Sequence, residues 1–567
     1  MANRMNAGRL LQPNDAPGQV SFQFSVRFWL MVGLTGIGTG LGAGLLMDLL
    51  RLIQHGLFDY STGDFQTAVE RASPMRRIAV VTGGGIVAAF GVWALRRSPG
   101  GKAGAIDEAV WFKATHIAAI KTLLQGVLSI VIVAMGASLG REAAPKETGA
   151  AITSKLSEWA GLSPAETRFL TACGAGAGLG AVYNVPLGGA LFALEVMLGT
   201  LVLPLIAPAL ATAYIATAVS WLLLPAQPTY LISHFVLAPS QIVWAVPFGP
   251  IAGLAGVGFV RLIVKASRVR PKAGVSLMAP VVVFGALGIA SVWLPQLLGN
   301  GRGMTQLAFQ GQLGLALLFG LIVAKPLATA SCLGSGAPGG LFTPSTMFGA
   351  MLGGALGGVW ALAWPGATAG SYAVIGAAAV LAATMQAPLA AIVLVIELTH
   401  HVITILVPML IAVGGASVTM RLFDRRSVYT GQIRIESPDR HDPTAPPPWS
   451  SAGLIIMAGP SLPIWAGYRD VLEQLLADEA SQHPVYVVDE NGRLVGRITP
   501  DRVKAVQPLT RMLVTGAAAD LMTNVEPVLQ SHDPDAVKTQ VLNDLWHEAP
   551  VVDVQTGTLI GVVRCGA

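Results

Sequence analysis

Residues 136–150, GASLGREAAPKETGA, set an arginine and a glutamate, Arg141 and Glu142, side by side in one of the most apolar parts of the chain. An ionisable residue in such surroundings points to function. Small residues, the Arg-Glu pair, then a helix start ending in Pro145 read as a tight turn. Such a turn delivers helix N-terminal N–H groups, which carry partial positive charge, to one point in the membrane. The stretch GSGAPGGLFTPS, residues 334–345, offers the same plan: glycines through Gly340, then Leu341 and Phe342, then Pro344. YNVPLGG (183–189) and MQAPLAA (385–391) are two further breaks. Helix N-termini converging on one point make an anion site without full positive charges. A bare ion in a low-dielectric medium costs on the order of tens of kcal/mol. A lysine would offset that cost but hold the anion too firmly, whereas conduction needs a site that can be both entered and left. A glutamate at such a site is the anion's rival. Charged, Glu142 plugs the site; protonated or displaced, it opens it. Arg141 is an anion-binding candidate, though a structural role suits it better.

The elements that position these residues belong to a membrane protein. The chain has 567 residues, 53% hydrophobic and only 12% charged, against about 25% charged in a soluble protein. Its mean hydropathy is +0.61. The 66 glycines suit helices packed closely in a bilayer. The net charge of +5 arises from mixed signs, with no basic run carrying interleaved aromatics, so nucleic acid is not expected as a partner. Cys173, Cys332 and Cys565 have no metal or redox spacing, and neither metal nor cofactor is expected. The first apolar stretch begins near Phe28 and reads as a retained span after an N-terminal segment, 1–27.

Apolar runs long enough to span lie at 28–50, 78–95, 117–135, 201–224, 242–264, 279–294, 313–327 and 402–420. The pieces 167–199, 341–364 and 369–399 are Gly-rich and read as helices that stop inside the membrane, where freed backbone must face protein or water. Two of them match without a gap. GAGAGLGAVYNVPLGGALFALE ends at Glu195, and GAAAVLAATMQAPLAAIVLVIE ends at Glu397. Aligned, Asn184 meets Gln386 and Pro186 meets Pro388. The membrane domain, 28–425, therefore divides into related halves, about 28–225 and 240–425. Interrupted segments at corresponding places in two halves point to a transport site. Glu195, Glu397, Asn184 and Gln386 are expected to serve the breaks structurally.

Past the last span, residues 426–460 are charged and then Pro-rich and read as a linker. Residues 461–567 hold two strand–turn–strand patterns, HPVYVVDENGRLVGRITPDRV and APVVDVQTGTLIGVV, each after an amphipathic stretch, giving a small α/β domain. Arg421, Arg425 and Arg426 beside the last span place that domain in the cytoplasm.

One competing chemistry is on the page. Gly136-Ala137-Ser138-Leu139-Gly140 matches G-x-S-x-G, which on an α/β sheet presents a nucleophilic serine, with His116, His400 or His401 as possible bases. Here the serine follows a membrane helix and not a strand, so an intramembrane serine hydrolase is a remote alternative and no enzyme is expected.

Taken together, these residues resemble the CLC family of chloride channels and proton-coupled anion exchangers, from about residue 28 to the end. GREAAP resembles the family's GREGP, GGLFTP its GxFxP, NVPLGGALFALE its Asn-x-Pro helix, and SVYTGQ the segment bearing its pore tyrosine. The tail resembles a tandem CBS pair. The resemblance implies an all-α polytopic membrane fold of two inverted repeats, with a small α/β cytoplasmic CBS-pair domain. It implies a homodimer with a pathway in each subunit, sited in the inner (plasma) membrane. It makes Glu142 the gating glutamate, puts Gly340, Leu341 and Phe342 at the anion, and sets Tyr429 at the inner end of the pathway. Two departures stand out. KAGAIDEA, residues 102–109, puts Gly104 where the family has its pore serine, so a hydroxyl ligand is lost. Val196 stands where exchangers carry an internal proton-transfer glutamate, and valine relays no proton. The sequence reading is therefore a chloride channel gated by Glu142. The alternative is proton–anion exchange by another internal route, through water or Glu195. CBS pairs often hold an adenine nucleotide, and Asp501 is the candidate ribose ligand.

Overall fold

Polar caps and glycines set where the helices begin and end. In the computed structural model the described residues are 24–98, 106, 117–269 and 277–432 with short gaps, and part of 454–565. Gly104, His116, His401 and Asp501 lie outside them. Helix α1 (Val26–Phe58) starts at Ser25, whose hydroxyl accepts from the Phe28 N–H, and a short α2 (Phe65–Arg71) is capped likewise by Asp64. The first half continues with α3 (Pro74–Arg97), α4 (Ala119–Ala134), α5 (Ala143–Ala160), α6 (Pro164–Tyr183), α7 (Pro186–Leu191), which runs on as a π turn to Met197, and α8 (Leu203–Ser220). The second half has α9 (Pro239–Arg268), α10 (Met278–Ala290), α11 (Arg302–Phe309), α12 (Leu315–Gly334), α13 (Phe342–Ala363), α14 (Ala369–Met385), α15 (Pro388–Thr399) and α16 (Leu406–Phe423). Seven of the described helices are long and apolar enough to cross a bilayer, and others are shorter apolar pieces. One expectation fails: residues 341–364 are not a broken piece, because α13 runs unbroken for 22 residues. Its many glycines serve close packing, so they do not interrupt the helix.

The two halves repeat each other in detail. Asn184 and Gln386 both take left-handed backbone conformations, φ 57° and 59°, at the ends of α6 and α14. Each is followed by one non-helical residue and a proline at the start of the next helix. Helix pairs repeat too. A side chain at Gly149 of α5 would strike the Gly174 carbonyl of α6, and one at Gly349 of α13 would strike the Gly376 carbonyl of α14. Each half thus needs glycine at the same crossing, where backbones touch.

The breaks are secured across the repeat. Glu195 accepts the Leu389 and Ala390 N–H groups at the start of α15, at 3.2 and 2.5 Å. Glu397 accepts the Leu187 and Gly188 N–H groups at the start of α7, at 3.1 and 2.6 Å. Each half's terminal glutamate caps the other half's broken helix. Four N–H groups that no helix turn can satisfy are thereby paired.

The C-terminal unit begins after Gln432. Its described strands form two sheets: β2 (Ser461–Pro463), β3 (Val485–Val488) and β4 (Leu494–Ile498); and β1 (Leu454–Met457), β7 (Leu559–Cys565), β6 (Glu548–Val552) and β5 (Val528–Leu529) in that order. The repeat seen in sequence is kept. β3–β4 and β6–β7 are antiparallel hairpins, each with a register shift, at 487/488 and 551/552, and each takes a parallel neighbour, β2 or β5.

Removing one cap leaves two helix-start N–H groups without their carboxylate, at about 0.5–1.5 kcal/mol each and more where the bond is buried. Glu195→Ala and Glu397→Ala should each lower the melting temperature of the purified protein, Glu195→Ala by more because its bond to Ala390 is the buried one. Thermal unfolding in detergent checks this. No shift in either variant would contradict the capping role.

Candidate functional site

The site grows from a two-residue strand pairing. Gly140 and Gly340, one from each half, form an antiparallel bridge in which each N–H donates to the other's carbonyl, at 2.8 and 2.9 Å. The bridge brings two helix starts together. Glu142 is the N-cap of α5, and Phe342 opens α13. The Gly340 N–H is spent on the bridge, so this residue positions the site and offers no donor to a ligand. Leu341 is the buried N-cap of α13.

The Glu142 carboxylate lies inside this junction, 4% exposed. The Phe342 N–H donates to its Oε1 at 2.6 Å. The Thr343 hydroxyl lies 3.1 Å and the Tyr183 hydroxyl 3.3 Å from its Oε2. The two hydroxyls are 2.7 Å apart. Three oxygens therefore form a closed triangle, and the hydroxyls bring one hydrogen each. While Glu142 is ionised, at most two sides of the triangle can be hydrogen bonds, and if both hydroxyls point at Oε2 two oxygens face each other at 2.7 Å with nothing between. A proton on Glu142 completes a ring in which Oε2–H donates to Tyr183, Tyr183 to Thr343 and Thr343 back to Oε2. The seat accordingly serves both protonation states of the acid, and its donors suit any anion that takes the carboxylate's place.

Cations stand over both tyrosines. The Arg141 guanidinium lies 4.9 Å from the ring centre of Tyr183, and the Lys146 ammonium 4.7 Å from that of Tyr429. Lys146 sits one turn into α5, its N–H on the Glu142 carbonyl. Tyr429 is buried, with its ring edge-on to Phe192 in the π turn that carries Val196. Its segment is fixed by the Val428 N–H on the Thr384 carbonyl and by Asp424, which accepts from Arg426 and Arg261. Burial pushes the Asp424 carboxyl up, but the hydrogen bonds from Arg426 and Arg261 outweigh it and hold the group below the usual carboxylate range. Residues 426–432 group with the membrane unit.

The structure brings Arg141, Glu142, Phe342 and Tyr429 around α5, and it adds residues the sequence did not single out. Tyr183 and Thr343 hold the carboxylate. Lys325, fully buried in α12, donates to the Leu297 and Gly299 carbonyls at 2.9 and 2.7 Å, and the Gly299 N–H in turn donates to Gly136. It braces the start of the turn that ends in Glu142; a lone lysine inside an apolar span was the signal for it. Two of the four breaks do not join the site: the first N–H groups of α7 and α15 are taken by Glu397 and Glu195. Ser138, the serine of the hydrolase pattern, is buried against Thr329, 3.4 Å between hydroxyls, in a turn after a helix.

Residues 83–421 match the family model described as voltage gated chloride channel. The chain belongs to the CLC family. It is 28% identical over 333 residues to the voltage-gated ClC-type chloride channel ClcB of Salmonella typhimurium, covering 56% of this chain and 78% of that protein. It is 32% identical to a ClcB-like chloride channel protein of Ralstonia nicotianae, covering 56% and 76%. Among solved structures it matches a slow cyanobacterial Cl−/H+ antiporter with TM-score 0.64 and 22% identity, over 72% of this chain and 97% of that one. It also matches a CLC-type fluoride/proton antiporter, TM-score 0.59 and 20% identity, over 72% and 99%. CLC membership makes the chain an anion transporter of the membrane and not an enzyme, and the hydrolase alternative falls with Ser138's setting.

The bridge glycines test the CLC seat. A Cβ at Gly340 would occupy the space of the Glu142 side chain. Because that side chain is the flexible party, Gly340→Ala should evict the carboxylate and leave the bridge standing. Chloride efflux from proteoliposomes should then lose most of its dependence on pH, as in Glu142→Gln. A full pH response in Gly340→Ala would show that this seat does not hold the gate.

Proposed function

We propose that the chain is a proton-coupled anion exchanger, with chloride its main substrate and Glu142 carrying the proton. The observation that supports this is the seat itself: the Phe342 N–H and the Tyr183 and Thr343 hydroxyls gather on the one buried carboxylate, and the same donors suit an anion. A seat whose donors serve either the charged carboxylate or an incoming anion links proton and anion by exclusion. Two structurally similar proteins, a Cl−/H+ antiporter and a fluoride/proton antiporter, agree with it.

The second reading, passive chloride conduction gated by Glu142, rests on Val196, an aliphatic side chain where a proton relay would be needed. For exchange, the internal route must go round it. Glu195 is poorly suited, since both of its oxygens hold the start of α15; a water-filled path past Val196 fits better. The pathway would be complete in each subunit of a homodimer in the inner membrane, with the C-terminal unit, a CBS-like pair, in the cytoplasm. That pair serves packing and dimerisation, with an adenine nucleotide at Asp501 the further role open to it.

Reversal voltage decides between the readings. In liposomes with a pH gradient and equal chloride, an exchanger's zero-flux voltage moves away from zero and a channel's does not. The wild-type chain should show the shift, and Glu142→Gln should abolish it while chloride still flows. A wild-type voltage indifferent to the gradient would establish the channel.

A further inference from the structure

We infer that Tyr183 and Thr343 form a hydroxyl pair that ligates the anion when Glu142 leaves its seat, and that this pair sets which halide the chain prefers. The inference rests on the premise above that an anion takes the place of the Glu142 carboxylate.

Three observations carry it. The donors to the carboxylate remain when it swings away: the Phe342 N–H, belonging to the backbone of a helix start, and two buried hydroxyls. Once the carboxylate has gone, the Phe342 N–H and one hydroxyl hydrogen of the pair have no acceptor, so an anion entering the space is drawn to them. Second, the hydroxyls are held in place from outside the seat. Tyr183 closes α6, its carbonyl accepts from the Thr229 hydroxyl, and its ring packs 5.4 Å from Phe342 and under Arg141. Thr343 lies in the first turn of α13. Third, the two hydroxyls come from opposite halves of the fold and meet 2.7 Å apart beside the carboxylate.

The chemistry gives a direction. A hydroxyl hydrogen rotates to meet the ligand, and charge-assisted hydrogen bonds strengthen as they shorten. A small halide with concentrated charge gains more from two such donors than a large one. The pair therefore favours chloride over iodide, whereas a seat made of the backbone N–H alone would discriminate less.

The test uses the full chain in detergent with Glu142→Ala as background, so that no side chain competes for the seat. Titration calorimetry with potassium chloride and potassium iodide gives the two affinities. Adding Tyr183→Phe or Thr343→Val, each of nearly unchanged shape, should weaken chloride binding roughly tenfold. Iodide binding should fall less, so the chloride-to-iodide ratio drops; Thr343→Ser, which keeps the hydroxyl, should restore both. Should Thr343→Val not fold, Tyr183→Phe carries the test, since it removes one oxygen and keeps the ring against Phe342. Unchanged chloride affinity and unchanged halide ratio in Tyr183→Phe and Thr343→Val overturn the inference while leaving exchange intact. If Glu142→Ala alone binds neither halide, the anion-seat premise fails, and the inference with it.

Discussion

Everything in the membrane unit answers to one constraint: a negative charge must rest in a medium that cannot solvate it. No acid can sit there bare, and a tightly paired cation would trap an anion permanently. The chain meets the constraint with a backbone N–H at a helix start and two hydroxyls, all neutral groups with fixed dipoles. Its nearby cations do not touch the carboxylate among the described hydrogen bonds; they stack on Tyr183 and Tyr429, where they add field without contact. The result is a seat of intermediate strength, set by geometry and therefore dependent on how well its walls are held.

The repeat supplies those walls, and it uses one local device for opposite ends. Four helices begin abruptly inside the fold, at Ala143, Pro186, Phe342 and Pro388. All four starts present N–H groups that need an acceptor. Two are plugged for good by Glu397 and Glu195, which welds the halves together. The other pair meets at the Gly140–Gly340 bridge, where Phe342 offers its N–H to Glu142. The difference lies in what each acceptor holds: Glu195 and Glu397 each take two backbone N–H groups of the other half, while Glu142 takes the Phe342 N–H and two hydroxyls.

Much of this was legible in the sequence, and the part that was not has a physical reason. The repeat could be read from Asn184-Val185-Pro186 and Gln386-Ala387-Pro388, because left-handed residues and N1 prolines are chemical choices visible one residue at a time. Glu142 stood out as a charge among apolar neighbours. What sequence hid was which breaks share a point. The starts at Pro186 and Pro388 look like those at Ala143 and Phe342 until the partner is known, and the partner of each comes from about 200 residues away. Tyr183 was hidden for the same reason: beside an Asn-x-Pro break it reads as an aromatic filling space, and only Thr343, brought from the other half, gives its hydroxyl work. The continuity of α13 was missed because glycine's two uses, breaking a helix and letting helices touch, look identical in one sequence.

The hydroxyls also explain how one seat can serve two occupants. A backbone N–H can only donate, so a site built from such groups alone prefers anything negative, the carboxylate included. A hydroxyl donates or accepts as its hydrogen turns. With a neutral acid in place, Tyr183 and Thr343 close a ring of three hydrogen bonds; with an ionised carboxylate or a halide in place, either both turn toward the charge or one does while the other donates to its neighbour. Charged, Glu142 competes with the anion for the same donors, and a proton on Glu142 ends that competition. Coupling of this kind needs no moving domain. It needs two hydroxyls 2.7 Å apart and a carboxylate within reach of both, which is the arrangement the two halves build by meeting at Gly140 and Gly340.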